Sequence, residues 1–343
     1  MRKLLNTLFI TSEKAVLSLK GETVCVEIDK QKVGQIPLHT LESIICFSYH
    51  GATPAFMGAC AEKNVNLSFF TPYGKFLCRV VGESSGNVLL RKQQYRMSDR
   101  LDESCKVARN FILGKVYNSR WSIDRTVRDH ELRIDVEKCK AVINYLNTAM
   151  VKIREEQNLD SLRGTEGECA SLYFGVFDDL ILNQKETFMF QGRTRRPPLD
   201  EVNAMLSFGY TLLTNDCAKA LEGVGLDSYV GFMHRDRPGR KSLALDLMEE
   251  LRPILVDRFI LTLINNRQIK GQHFRRTESN TIEFTDEGKK IFLTAWQDHK
   301  REEIKHPFLN EKISWGLLPH VQALLLARYI RGDIEEYPPF LWK

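Results

Sequence analysis

At 343 residues, with 43% hydrophobic and 27% charged side chains, the chain is too long for one small domain and too ordinary in composition for a disordered chain or a membrane bundle. Its net charge of +5 is a mild bias, compatible with a polyanionic partner but not a demonstration of one. Eight cysteines stand singly with no CxxC pair, which reads as reduced, mostly buried thiols of a cytoplasmic protein.

At the N-terminus Arg2 and Lys3 precede an apolar run that Asn6, Thr7 and Glu13-Lys14 cut short of a signal peptide. The longest charge-free stretch, Ser43 to Ala61, contains His50, Gly51, Thr53 and Pro54, which a spanning helix of about 20 apolar residues seldom tolerates, so no membrane span is expected. Residues 1 to about 88 read as strands: Val24, Val26 and Ile28 alternate, as do Val65, Leu67 and Phe69. Thr71-Pro72-Tyr73-Gly74 is turn chemistry before a strand at Phe76 to Val81. One helix is expected near Pro54 to Lys63, where Ala and Met replace β-branched residues. Glu83 to Asn87, rich in Ser and Gly, marks the hinge.

Beyond the hinge the period becomes helical, with Ala108, Phe111, Ile112 and Val116 in one segment and Val142, Leu146, Ala149, Met150 and Ile153 in another. The expectation is an α+β chain: a β-rich N-terminal domain, 1–88, followed by a larger all-helical catalytic domain, 89–343. Within the latter, Leu162 to Leu182 read as a helix places Glu166 beside Ala170, Tyr173 and Phe177. A carboxylate on such a stripe needs a cation, a donor or a metal, unless it only favours the positive end of the helix in its first turn. Pro197-Pro198-Leu199-Asp200 opens a helix running to about Leu221, with Gly223 as its stop.

From Leu243 onward, Leu243, Leu247, Leu251, Ile254 and Leu255 share one side of a helix, and Asp246, Glu249, Glu250 and Asp257 the other. That acidic side is either a solvated face or a metal site, and His234, delivered just upstream, favours the second. No HExxH, P-loop, nucleophile motif or dinucleotide fingerprint is present, and a mixed His and carboxylate set suits Mn²⁺ or Mg²⁺ better than a structural zinc. Basic clusters recur at Arg193, Arg195 and Arg196, at Arg235, Arg237, Arg240 and Lys241, and at Arg275 and Arg276. With the polar face Asn203, Ser207, Tyr210 and Thr214 between the first two clusters, they form a candidate phosphate-binding track, to which Arg163 is added.

Leu162-Arg163-Gly164-Thr165-Glu166-Gly167, Arg195-Arg196-Pro197-Pro198-Leu199-Asp200-Glu201-Val202-Asn203-Ala204, and Gly231-Phe232-Met233-His234 with Ser242 to Glu249 together resemble the CRISPR-associated integrase family Cas1. Ile36-Pro37-Leu38 and Gly86 to Arg91 extend the likeness to nearly the whole chain, and the ending Tyr337-Pro338-Pro339-Phe340-Leu341 looks most like the type I-C branch. The resemblance implies Glu166, His234 and Glu249 as catalytic metal ligands for Mg²⁺ or Mn²⁺, with Asp246 as a further acidic group. It also implies a homodimer flanking a small ferredoxin-like partner, Cas2, and double-stranded DNA as substrate. The implied chemistry is attack of a protospacer 3′-OH on a phosphodiester at the edge of a CRISPR repeat, with DNA endonuclease activity when water replaces the hydroxyl. Two rival readings are a metal-dependent, structure-specific nuclease of repair and a non-catalytic DNA-binding scaffold.

Overall fold

A computed structural model describes residues 6–48, 50–71, 76–82, 88–194 and 197–342, which divide into two compact units, Met1–Ser85 with Glu283–Glu302, and Gly86–Ile282 with Glu303–Lys343. The hinge segment Glu83 to Asn87, the turn residues Pro72 to Gly74, Gly86 and Asn87 of the family likeness, and Arg195 and Arg196 lie outside the described residues.

The first unit contains strands β1 (Thr7–Ile10), β2 (Ala15–Lys20), β3 (Thr23–Ile28), β4 (Gln31–Pro37) and β5 (Ser43–Cys46), helix α1 (Pro54–Glu62), and strands β6 (Asn66–Phe70) and β7 (Phe76–Arg79). Strands β2, β3 and β4 form an antiparallel meander. Asp29 and Lys30, both at positive φ, supply the two-residue turn between β3 and β4, the backbone hand that matches strand twist. The other sheet has the order β1-β5-β6-β7, parallel from β1 to β6 and closed by the antiparallel β7. All of β5 is buried, as expected of a parallel strand covered on both faces. Helix α1 starts where Thr53 caps the Phe56 amide and Pro54 supplies a first turn that needs no N–H. Leu17, Val24, Leu38, Ile44, Phe56, Cys60 and Leu67 make this unit's core.

The second unit is mainly helical: α2 (Val88–Asp99), α3 (Leu101–His130), α4 (Val136–Glu155), α5 (Leu159–Gly175), α6 (Glu201–Gly223), α7 (Ser242–Arg252) and α8 (Arg258–Asn265). Helix α3 is its axis and touches α4, α5 and α7, so from Ser104 to Ile123 it is buried on nearly every side. The π-helical turn Pro253–Asp257 joins α7 to α8, accommodating a proline that can neither donate its amide nor clear the preceding turn. The chain continues through β8 (Phe274–Arg276) and crosses at β9 (Ile282–Phe284) to α9 (Asp286–Arg301) in the first unit. It returns as β10 (Glu303–Lys305), β11 (Lys312–Ser314) and α10 (Leu318–Arg331).

The mixed α+β architecture agrees with the sequence reading, but the second unit is not all-helical. Strands β10 and β11 pair antiparallel within it, three residues each and too short for an alternating pattern to register. Residues Glu283–Glu302, which the sequence reading assigns to the second domain, group with the first unit. The helix expected over Leu162 to Leu182 begins earlier, at Leu159, and ends at Gly175 before a separate 3-10 turn, Phe177–Leu180. Among the described residues no helix is long and apolar enough to cross a membrane. All eight cysteines are free, and all but Cys78 are buried.

Candidate active site

Every side chain of the site belongs to the second unit. Helix α7 begins where the amides of Leu243 and Ala244 donate to the Ser228 carbonyl, a main-chain substitute for a capping side chain. It is covered by α3, α6 and α10, and its acidic residues Asp246, Glu249 and Glu250 are buried together with Asp257 just beyond. The solvated-face alternative is thereby removed, because each carboxylate lies inside the protein with partners of its own.

Asp246 organises the loop that carries His234. Its Oδ2 accepts from the amides of Phe232 at 2.6 Å and Met233 at 3.0 Å; its Oδ1 accepts from the His234 amide at 3.0 Å and lies 2.6 Å from His234 Nδ1. A proton on Nδ1, donated to that carboxylate, leaves the Nε2 lone pair available for a metal or a proton. Gly231 permits this packing, since a Cβ there would stand 2.7 Å from Asp246 Oδ2 and 2.9 Å from the Ser242 backbone. Arg163 ties the same loop to α5, its Nε donating to the Met233 carbonyl at 3.0 Å and its Nη1 to Asp160 at 2.6 Å.

Helix α5 starts at Leu159, where the Asn158 side chain caps the amides of Asp160 and Ser161. Glu166 therefore lies beyond the first turn, and the helix-end explanation of its placement no longer applies. Its partner is Lys115 of α3, a residue absent from the sequence-based candidates. The Lys115 ammonium pairs with Glu166 Oε1 and lies 2.8 Å from Glu249 Oε2, an ion contact that lacks hydrogen-bond geometry. Glu249 Oε1 pairs with Arg252 at 2.9 Å. The Lys115 and Glu249 side chains are only 8% and 5% exposed, which makes their mutual compensation necessary rather than ornamental. Burial pushes the Glu249 carboxyl upward, but the charges of Arg252 and Lys115 outweigh it and hold the pKa at about 2.

Two predicted ligands thus converge on one ammonium, and the third, His234, acts electrostatically on Glu249. Among the described residues no three His, Cys, Asp or Glu donors stand ready to enclose an ion. The donor chemistry nevertheless fits a hard or borderline divalent cation: two carboxylates that already face one buried cation, and an imidazole oriented by Asp246.

The candidate DNA contacts separate. Asn203 is fully buried; it accepts from Arg193 Nη1 at 2.5 Å and the Thr194 amide at 3.0 Å, and donates to the Gly192 carbonyl at 2.8 Å and to Asp200 at 2.6 Å. It thereby anchors the segment before α6 from inside the protein. Arg163 is likewise engaged inward. Arg235 and Arg237 are exposed, Arg240 and Lys241 half-buried, and the turn they form follows directly from His234. Arg252 lies 4.9 Å and Arg193 5.4 Å from the Tyr210 ring centroid, and Tyr210 donates to Asp257 at 2.5 Å. An arginine in the last turn of an acidic helix was the available signal for Arg252; for Lys115 it was a lysine set between Phe111, Ile112 and Val116.

The family model described as CRISPR associated protein Cas1 matches residues 8–298. A CRISPR-associated endonuclease Cas1 of Chlorobaculum tepidum is 47% identical over 343 residues, 100% of each chain. A casposase bound to integration product has the same fold, with a TM-score of 0.84 at 23% identity over 98% of this chain and 93% of that one. So does a chain of a Cas6-RT-Cas1–Cas2 complex, with a TM-score of 0.83 at 21% identity, covering 100% of this chain and 36% of that one.

Proposed function

The chain belongs to the CRISPR-associated Cas1 family, and from that premise we propose that it is a metal-dependent DNA endonuclease and integrase of CRISPR adaptation. The observation that carries the reading is the approach of Glu166 and Glu249, from separate helices, to one ammonium, with the Asp246-held His234 near enough to Glu249 to influence its carboxyl. Glu166, His234 and Glu249 hold Mg²⁺ or Mn²⁺ in this reading. When bound, such an ion supplies Lewis acidity toward the scissile phosphate and favours deprotonation of the attacking hydroxyl.

The remaining work belongs to the protein. Asp246 fixes the His234 ring, and Arg163 fixes the loop that delivers it. Arg235, Arg237, Arg240 and Lys241 lead the DNA backbone toward His234 by charge. The protospacer 3′-oxygen bonds to phosphorus at the repeat edge as the existing P–O bond breaks. The attacking hydroxyl gives up its proton, and the departing oxygen becomes a new 3′-OH after gaining one. Water in place of the hydroxyl yields a nick. The reading includes a cytoplasmic homodimer flanking a Cas2-type partner, with the Cas1–Cas2 complex among the fold relatives in support. The ending Tyr337 to Leu341 supports the type I-C branch.

The test combines purified protein, with and without the small partner, with Mn²⁺ or Mg²⁺, a short duplex bearing free 3′ ends and a repeat-bearing plasmid. Plasmid-linked duplex that disappears in Glu166→Gln is the expected result. Nicking without joining supports the repair nuclease, and DNA binding with no reaction in any arm leaves only the scaffold.

A further inference from the structure

We propose that Lys115 is a built-in counter-cation for the Glu166 and Glu249 carboxylates, and that a divalent ion enters this site by displacing its ammonium. The inference rests on the reading that these carboxylates hold a metal. The lysine projects from α3, is nearly sealed from solvent, and faces both carboxylates at once, one on α5 and the other on α7. Arg252 neutralises only the far oxygen of Glu249, so without Lys115 two acidic groups would share a poorly solvated space with a single cation at one edge.

Lys115 also borders a small cavity with Leu146, Ala170, Tyr173, Phe174 and Asp257, with room for about one water, so its ammonium withdraws only as those walls move. Lysine suits such an exchange better than arginine, being a compact point charge on a flexible four-carbon stem without a fixed fork of donors. Two consequences follow. The metal-free protein keeps its three helices together without an ion, and the affinity for the ion is lowered by whatever the ammonium contributes.

The experiment measures Mn²⁺ binding by the loss of the free-ion electron paramagnetic resonance signal, together with thermal unfolding, in the full-length wild type, Lys115→Met, Glu166→Gln and the double variant. A parallel measurement on the wild type follows acetylation of Lys115 by mass spectrometry with and without Mn²⁺. The expected result is Mn²⁺ binding by Lys115→Met at least about tenfold tighter than by wild type, because no ammonium has to be expelled. Metal-free Lys115→Met melts lower than wild type and is partly restored by adding Glu166→Gln, and Lys115 acetylation rises when Mn²⁺ is present. If Mn²⁺ binds the wild type and is lost in Glu166→Gln, but Lys115→Met is no tighter or Lys115 stays protected with Mn²⁺ bound, the exchange is overturned while the metal site stands. If Mn²⁺ binding is indifferent to Glu166 in every background, both fail together. Should Lys115→Met not fold, the acetylation of wild-type Lys115 with and without Mn²⁺ decides: a rise with Mn²⁺ supports the exchange, and unchanged protection with Mn²⁺ bound overturns it.

Discussion

His234 Nδ1 lies 2.6 Å from Asp246 Oδ1, and the carboxylate that holds this ring also accepts the amides of Phe232, Met233 and His234. One buried side chain therefore sets both the tautomer of the imidazole and the path of the backbone beneath it. Asp246→Ala removes the acceptor for all of these donors and is expected to cost roughly 3–5 kcal/mol in urea unfolding. Asp246→Asn keeps the shape but turns an NH₂ toward groups that donate, and cleavage with Mn²⁺ should fall about 10- to 100-fold. Wild-type cleavage by Asp246→Asn would show that the ring orientation is immaterial.

Gly114 of α3 faces Glu250 of α7 closely enough that a Cβ would stand 2.7 Å from Glu250 Cβ and 3.4 Å from Pro339 Cβ. Glu250 is itself held by Gln322, Tyr337 and the Phe340 amide, so it has little freedom to retreat. In an open helix, alanine in place of glycine gains about 1 kcal/mol. Gly114→Ala should instead lose about 1–3 kcal/mol by forcing the helices apart. Gly164→Ala in α5, where nothing lies within 4 Å of the added Cβ, is the control and should raise the melting temperature. Equal shifts in the two variants would refute close packing as the cause.

What the sequence disclosed follows from how local each signal is. Asp200 caps α6 through the Asn203 amide at 2.7 Å, three residues away, and the motif Pro197 to Asp200 announced that start. Glu166, His234 and Glu249 could be nominated from the sequence because their neighbours carry a family pattern. Lys115 could not, since its role exists only when α3 passes Glu166, 51 residues on. The acidic side of α7 was ambiguous for the opposite reason. A two-sided helical pattern ordinarily means one wet face, but α3, α6 and α10 enclose this helix, and Glu249 and Glu250 find partners as remote in the chain as Lys115 and Tyr337. Asn203 lies on a polar face by periodicity, yet that face meets the segment Gly192 to Thr194.

Asp257 makes stability depend on pH with a definite sign. Burial raises its carboxyl from 3.8 to about 6, although Tyr210 and Arg252 oppose the shift. The folded protein therefore holds this proton more tightly than the unfolded chain does. The associated stabilisation is complete below pH 3.8 and is lost as pH rises through about 6, a change of about 3 kcal/mol. Buried His306 has a lowered pKa and acts in the other direction, losing stability as pH falls below its ordinary value of 6.5. The difference between wild type and Asp257→Asn isolates the aspartate. In urea unfolding between about pH 4 and 7, that difference should shift in favour of the variant as pH rises. A pH-independent difference would mean that Asp257 titrates alike in both states.

The basic turn and Arg163 make a second separable pair of expectations. Arg237 is exposed, and Arg240 is half-buried beside it, whereas Arg163 spends its guanidinium on Met233 and Asp160. If the turn carries phosphates, Arg237→Ala and Arg240→Ala should each weaken duplex binding. Each should also flatten the plot of log K against log salt by about 0.9 for every phosphate no longer neutralised. Arg163→Ala should leave that slope unchanged, because no counterions are released by a group already paired within the protein. Its effect should emerge in cleavage, by loosening the loop that carries His234. A slope reduced as much by Arg163→Ala as by Arg237→Ala would move Arg163 back among the DNA contacts, and the tie between α5 and the Met233 carbonyl would then be one that DNA breaks on binding.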